Sequence, residues 1–191
     1  MIQVQTDKSD EVIRILETHL CKGSETEKSL CRTVGWLEEI YGEDFILSMD
    51  KPPTKFAVGA GESGWEVIHC NSFFDCHDLL EKLSRELHCL VVHVMAQSVS
   101  DAYLITIWRD GENIRILEFA DGVWVKNEGT PLPFEKDPLG QNIGKSDDPF
   151  FVFEEEDLSE YCENLGFDPW ADENVEGWTI LSASPQQSDV T

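Results

Sequence analysis

Basic residues are scarce in this chain. Its 191 residues hold 14 Lys and Arg against 38 Asp and Glu, a formal net charge of −24. A surface of that sign repels phosphate backbones and anionic lipids, which argues against nucleic-acid or membrane-surface partners. No run approaches the roughly 18 apolar residues of a spanning helix. The opening stretch, MIQVQTDKSDEVIRIL, shows neither a basic n-region nor an apolar h-region, so no signal peptide is read there. Cys21, Cys31, Cys70, Cys76, Cys89 and Cys162 include no C-x-x-C, which excludes a thioredoxin motif and a zinc ribbon. Serine-hydrolase G-x-S-x-G, H-E-x-x-H, P-loop and EF-hand patterns are missing as well. The expectation is a soluble cytoplasmic protein without a cofactor, its thiols reduced and mostly buried.

Core-forming material is plentiful. Hydrophobic residues make up 41% of the chain and aromatics 10%, enough for one folded domain spanning 1–191. Val12, Ile13, Leu16 and Leu20 fall at helical spacing over 8–21. Ser24 with Glu27 has the form of a capping box, and Leu30, Val34, Leu37 and Ile40 continue a helical period, predicting a second helix over 25–41. The two form an expected N-terminal helical hairpin over 1–42.

The sheet is expected over 55–153. Gly59, Gly61 and Gly64 spell G-x-G-x-x-G, but WEVIHC follows and reads as a strand, so the glycines predict a hairpin turn and not a dinucleotide loop. A helix from Asp75 to Leu87 presents Leu79, Leu80, Leu83 and Leu87 on one face. CLVVHVMA, AYLITIWR, the strand over 113–119 and the strand over 123–126 then alternate with turns, of which Asp110-Gly111 is the strongest hairpin signal. A short strand is expected over 150–153, an acidic helix over 154–165 within a closing segment 154–181, and a frayed tail over 182–191. The fold class is α+β: a helical pair, a central antiparallel sheet of four to six strands, and helices on one face. Residues 129–149 form a long connection in which Pro131–Phe134 is expected to pack on the sheet, anchored by Phe134.

His and Cys are adjacent three times, at His69-Cys70, Cys76-His77 and His88-Cys89. Neighbours on a strand point to opposite faces, and five residues separate Cys70 from Cys76, so no metal site is expected. Cys70, Cys76, His77 and His93 are the candidates for a thiol–imidazole pair, and with them a thiol- or zinc-dependent hydrolase is one reading of the chain.

A different reading comes from the charge. Residues 146–191 contain thirteen acidic residues and no Lys or Arg. Glu154, Glu155, Glu156, Asp157, Glu160, Glu163, Asp168, Asp172, Glu173 and Glu176 surround Trp170, and an aromatic within an anionic field fits a surface for a basic protein. The expected function is a non-enzymatic acidic binder, with a housekeeping scaffold as its plainer form. A solvated face that only keeps the chain soluble is the alternative meaning of the same charge.

The stretch YLITIWRDGENIRILEFADGVWVKNEGTPLPFE (103–135) resembles uncharacterised small acidic bacterial α+β proteins carrying a strand–DG–strand–turn–GxPLPFE pattern. EEEDLSEYCENLGFDPW (154–170) is similar to the ending of the same proteins. The resemblance covers about a third of the chain and carries no catalytic residue. Some such proteins look like immunity proteins of bacterial toxin systems, so the resemblance implies a binder of a basic protein, by toxin neutralisation or by imitation of a nucleic-acid charge pattern.

Overall fold

Period-two alternation organises the second half of the sheet. β5 (Leu90–Gln97), β6 (Ala102–Arg109), β7 (Glu112–Ala120) and β8 (Val123–Gly129) form an antiparallel meander. Asp110-Gly111 and Asp121-Gly122 make its last two turns with φ of 53° and 84°, then 52° and 76°, the left-handed pair that matches strand twist. β3 (Lys55–Ala60) pairs antiparallel with β4 (Trp65–Cys70), so the G-x-G-x-x-G stretch does turn a hairpin. The computed structural model describes residues 1–22, 28–41, 45–46, 51–61, 63–73, 76–97, 100–135, 153–170, 175 and 177–185.

Three further strands enlarge the sheet beyond expectation. β1 (Ile2–Gln5), β2 (Lys28–Gly35) and β9 (Trp178–Pro185) complete nine strands among the described residues, in the order β2-β9-β3-β4-β1-β5-β6-β7-β8. Four helices accompany them among the same residues: α1 (Ser9–Cys21), α2 (Glu38–Tyr41), α3 (His77–Leu87) and α4 (Glu155–Leu165). The α+β class stands, with three corrections.

Among the described residues, the expected second helix of the N-terminal pair is replaced by a strand and one helical turn. Lys28–Gly35 is instead a strand paired with β9 along eight residues, and only Glu38–Tyr41 is helical. Leu30 and Val34 are 42% and 81% exposed, so the period that read as a buried helical stripe buries little. Eight ladder pairs outweigh a local propensity worth a few tenths of a kcal/mol per residue. The capping-box residues Ser24 and Glu27 lie outside the described residues. Secondly, the sheet is not confined to 55–153, because β1 lies inside it and β9, which takes in 182–185 of the expected tail, lies second from the edge. Of the expected strand over 150–153, only Phe153 is described, buried and outside any strand.

The third correction concerns the helices, which cover both faces. Val12, Ile15 and Leu16 of α1 and Leu79, Leu80 and Leu83 of α3 pack with Ile2, Val4, Phe56, Ile68 and Val91. The alternate residues of the neighbouring strands, Trp65, Val92, Val94, Ile105, Ile107, Leu117 and Phe119, pack with Leu158, Tyr161 and Cys162 of α4. A sheet with apolar residues on both sides of β4 and β5 leaves neither face to water. Each fully buried Leu or Ile contributes about 2 kcal/mol of transfer free energy to these layers.

Two local devices set the position of α4. Glu154 and Asp157 form its capping box, Asp157 accepting from the Glu154 N–H at 2.9 Å, and Gly166 ends it at φ 98°. Of the expected Pro131–Phe134 packing only Leu132 and Phe134 turn inward, half-buried against the α4-side core with Phe134 edge-on to Tyr161 at 5.0 Å, while Pro131 and Pro133 are exposed. Residues 136–149 lie outside the described residues. Among the described residues no helix is long and apolar enough to cross a membrane.

Candidate functional site

β1 adjoins an opening in the sheet. It lies between β4 and β5, and its ladders start at Ile2, opposite Ile68 on one side and His93 on the other. β4 runs on to Cys70 and β5 to Gln97, so beyond Ile2 these two strands flank a slot. Met1 spans its inner end, donating from N to the Val94 carbonyl at 3.0 Å. The slot is a cavity of about 280 Å³. Residues from both faces reach it: Ile68, Cys70, Cys76, His93 and Met95 from one, His69, Val94, Ala96 and Trp170 from the other. Tyr41, Phe45 and Phe73 complete the walls.

The connection after β4 holds Cys70 in place. Asn71 is fully buried, its Oδ1 accepting from the backbone N–H groups of Thr54 and Lys55 at 3.0 Å each and its Nδ2 donating to Thr54 Oγ1 at 3.1 Å. Its carbonyl accepts from Ile46 N at 2.8 Å, and Ser72 Oγ donates to the Lys51 carbonyl at 2.8 Å. Cys70 itself donates to the Ser72 carbonyl at 3.2 Å as a thiol. Cys76, at the N-terminus of α3, hydrogen-bonds the Cys70 sulfur. That hydrogen bond outweighs the opposing effect of burial and brings the Cys70 thiol down to about 6.

The other cysteines and histidines behave differently. Burial, with Asp110 nearby, pushes Cys89 up to about 11, and burial pushes Cys162 up to about 12. His93 lines the slot as a neutral ring, its pKa lowered by burial to about 3. His69 points to the opposite face of β4 from Cys70, shares a hydrogen bond with the Tyr41 hydroxyl and lies edge-on to Trp178 at 5.3 Å. Of the four residues singled out for thiol–imidazole chemistry, Cys70, Cys76 and His93 therefore converge, while His77 stands outside the lining, 6.0 Å ring to ring from Trp108. No group of three or more His, Cys, Asp or Glu gathers to hold a metal ion among the described residues.

The acidic residues form a second feature. On α4, Glu155, Glu156, Glu160 and Glu163 line a shallow groove with Ser159 and Trp170. Trp170 is 44% exposed, and its indole N–H donates to Ser159 Oγ at 2.8 Å. Asp168 accepts from Trp170 N at 2.8 Å and shapes the turn that presents the ring. Glu154 and Asp157, by contrast, serve the helix cap. Asp172, Glu173 and Glu176 lie outside the described residues.

Sequence reasoning placed Trp170 on the acidic surface but missed that it also walls the slot, along with Tyr41, Phe45 and Phe73. Tyr41 and Phe45 lie close together between β2 and β3, but Phe73 and Trp170 come from two distant connections, so no spacing brings the four together. No protein-family model matches the chain, and no curated protein or solved structure is significantly similar to it. The geometry of the molecule therefore carries the functional reading.

Proposed function

We propose that the chain is a non-enzymatic acidic binding protein that covers a basic protein partner with the exposed face of α4. One observation carries this reading: an exposed indole, fixed by Ser159 and Asp168, stands in a groove whose remaining walls are four glutamates. A ring held in one orientation loses little entropy on binding, and its face with carboxylates around it suits a Lys or Arg side chain. The long-range field of a −24 chain would speed such an encounter. Neutralisation of a bacterial toxin and imitation of a nucleic-acid charge pattern are the sharper forms of this reading. The six unlinked cysteines accord with work in the reducing cytoplasm.

Bait comparison tests it. The wild type, Trp170→Ala and the quadruple Glu155→Gln/Glu156→Gln/Glu160→Gln/Glu163→Gln variant are presented to the same lysate at low salt. The reading expects a basic protein retained by the wild type, released by about 0.5 M salt as screening grows, and lost from both variants. Identical captures by all three baits would overturn it.

A further inference from the structure

The slot beside β1 has a chemistry that the acidic surface does not use. Two thiols line its wall, one on the last residue of β4 and one at the start of α3, with five residues between them. Asn71 and Ser72 anchor the chain just after Cys70 through six hydrogen bonds. Ile68, Phe73, Val94 and Met95 supply apolar walls, and the space of about 280 Å³ admits a molecule larger than water but well below the size of a peptide. Phe73 and Trp170, both exposed, stand where the slot meets solvent. A net charge of −24 disfavours anionic ligands and leaves neutral ones unhindered.

We propose that this slot is a reaction site for a small organic hydroperoxide, with Cys70 as the attacking thiolate and Cys76 as the resolving thiol. In the first step the Cys70 sulfur attacks the terminal peroxide oxygen. An S–O bond forms and the O–O bond breaks; the electron pair leaves on the alkoxide, which takes a proton from solvent and departs as the alcohol. Cys70 is then a sulfenic acid. In the second step the Cys76 sulfur attacks the Cys70 sulfur, the S–O bond breaks, and hydroxide leaves with the Cys76 proton as water. The two thiols together lose two electrons and the peroxide gains them. A dithiol reductant returns the pair to its starting state by thiol–disulfide exchange. Cys70 and Cys76 line the same cavity, which sets a resolving thiol beside the attacking one.

Peptide mapping of the full-length wild type after exposure to cumene hydroperoxide, and separately to hydrogen peroxide, decides this without any variant. The proposal expects a Cys70–Cys76 cross-linked peptide lighter by two hydrogens, formed before oxidation of the exposed Cys21 and Cys31. It expects faster reaction with cumene hydroperoxide than with hydrogen peroxide, because the walls are apolar. In Cys76→Ser a dimedone adduct should accumulate on Cys70, and in Cys70→Ser hydroperoxide consumption should fall about tenfold or more. Oxidation of Cys21 or Cys31 ahead of Cys70, or absence of the cross-link in the wild type, would overturn the proposal. Equal or slower reaction with cumene hydroperoxide would overturn the assignment of an organic substrate.

Discussion

Arg115 and Glu135 meet in a two-pronged ion pair in which both side chains are withdrawn from solvent. Nε donates to one carboxylate oxygen at 2.9 Å and Nη2 to the other at 2.6 Å, with side-chain exposures of 1% and 0%. The same carboxylate accepts from Leu132 N at 3.0 Å and from the Tyr161 hydroxyl at 2.7 Å, while Arg115 Nη1 reaches the Glu128 carbonyl at 3.0 Å and also the Asn127 side chain. One cluster thus joins β7, β8, the 130–135 segment and α4.

Removing one member leaves a buried charge alone. Arg115→Met or Glu135→Leu should each cost about 3–5 kcal/mol, and the double variant clearly less than their sum. Urea titration of the three variants checks it, and additive costs would refute the coupling. Burial alone would raise the Glu135 carboxyl, but hydrogen bonds from Arg115, Leu132 and Tyr161 together hold it below its usual range. A lowered folded value means the stabilisation is complete above the unfolded value, about 4.3, and is lost as pH falls through the folded one.

Glu66 has the opposite sign. It is buried at 6% exposure on β4 with Ser9 of α1 donating to it, and burial, partly offset by that hydrogen bond, raises its carboxyl. A raised folded value gives stability that is present below the unfolded value and lost as pH rises through the folded one. Glu66→Gln keeps the oxygen that accepts from Ser9, so it should raise the urea midpoint at pH 8 and change it little at pH 4. A variant less stable at pH 8 would contradict the sign.

Gly129 ends β8 at φ 90°, and a Cβ there would stand 2.2 Å from the Ile114 carbonyl oxygen. Gly129→Ala meets both a disfavoured backbone region and a backbone clash, at a cost on the order of 2 kcal/mol or more. Thermal unfolding measures it; an unchanged midpoint would refute the strain argument.

Phe134 is half-buried, not enclosed, and its ring touches Tyr161 edge-on. Phe134→Ala should therefore cost about 2 kcal/mol, below the 3–5 of a fully enclosed ring. Because Tyr161 holds Glu135, the same variant should also weaken the ion pair, visible as a smaller loss when Glu135→Leu is added.

Much of this molecule was written locally. The DG turns, the alternation of β5 to β7 and the leucines of α3 each depend on residues within one or two turns of chain, so they could be read directly from the sequence. The candidate carboxylates on α4 were legible for the same reason. Lys28–Gly35 was not, because its partner β9 lies about 150 residues away and a helical period in an exposed edge strand carries no record of that pairing. The sequence by itself also determined that Cys70 and Cys76 are near neighbours and that the chain is strongly anionic. Only the tertiary structure decided that β1 lies between β4 and β5, and that the slot beside it gathers Cys70, Cys76, His93 and Trp170 from separate parts of the chain. Which strands become neighbours is set by pairing between segments far apart in the chain, and no local pattern of residue types encodes it.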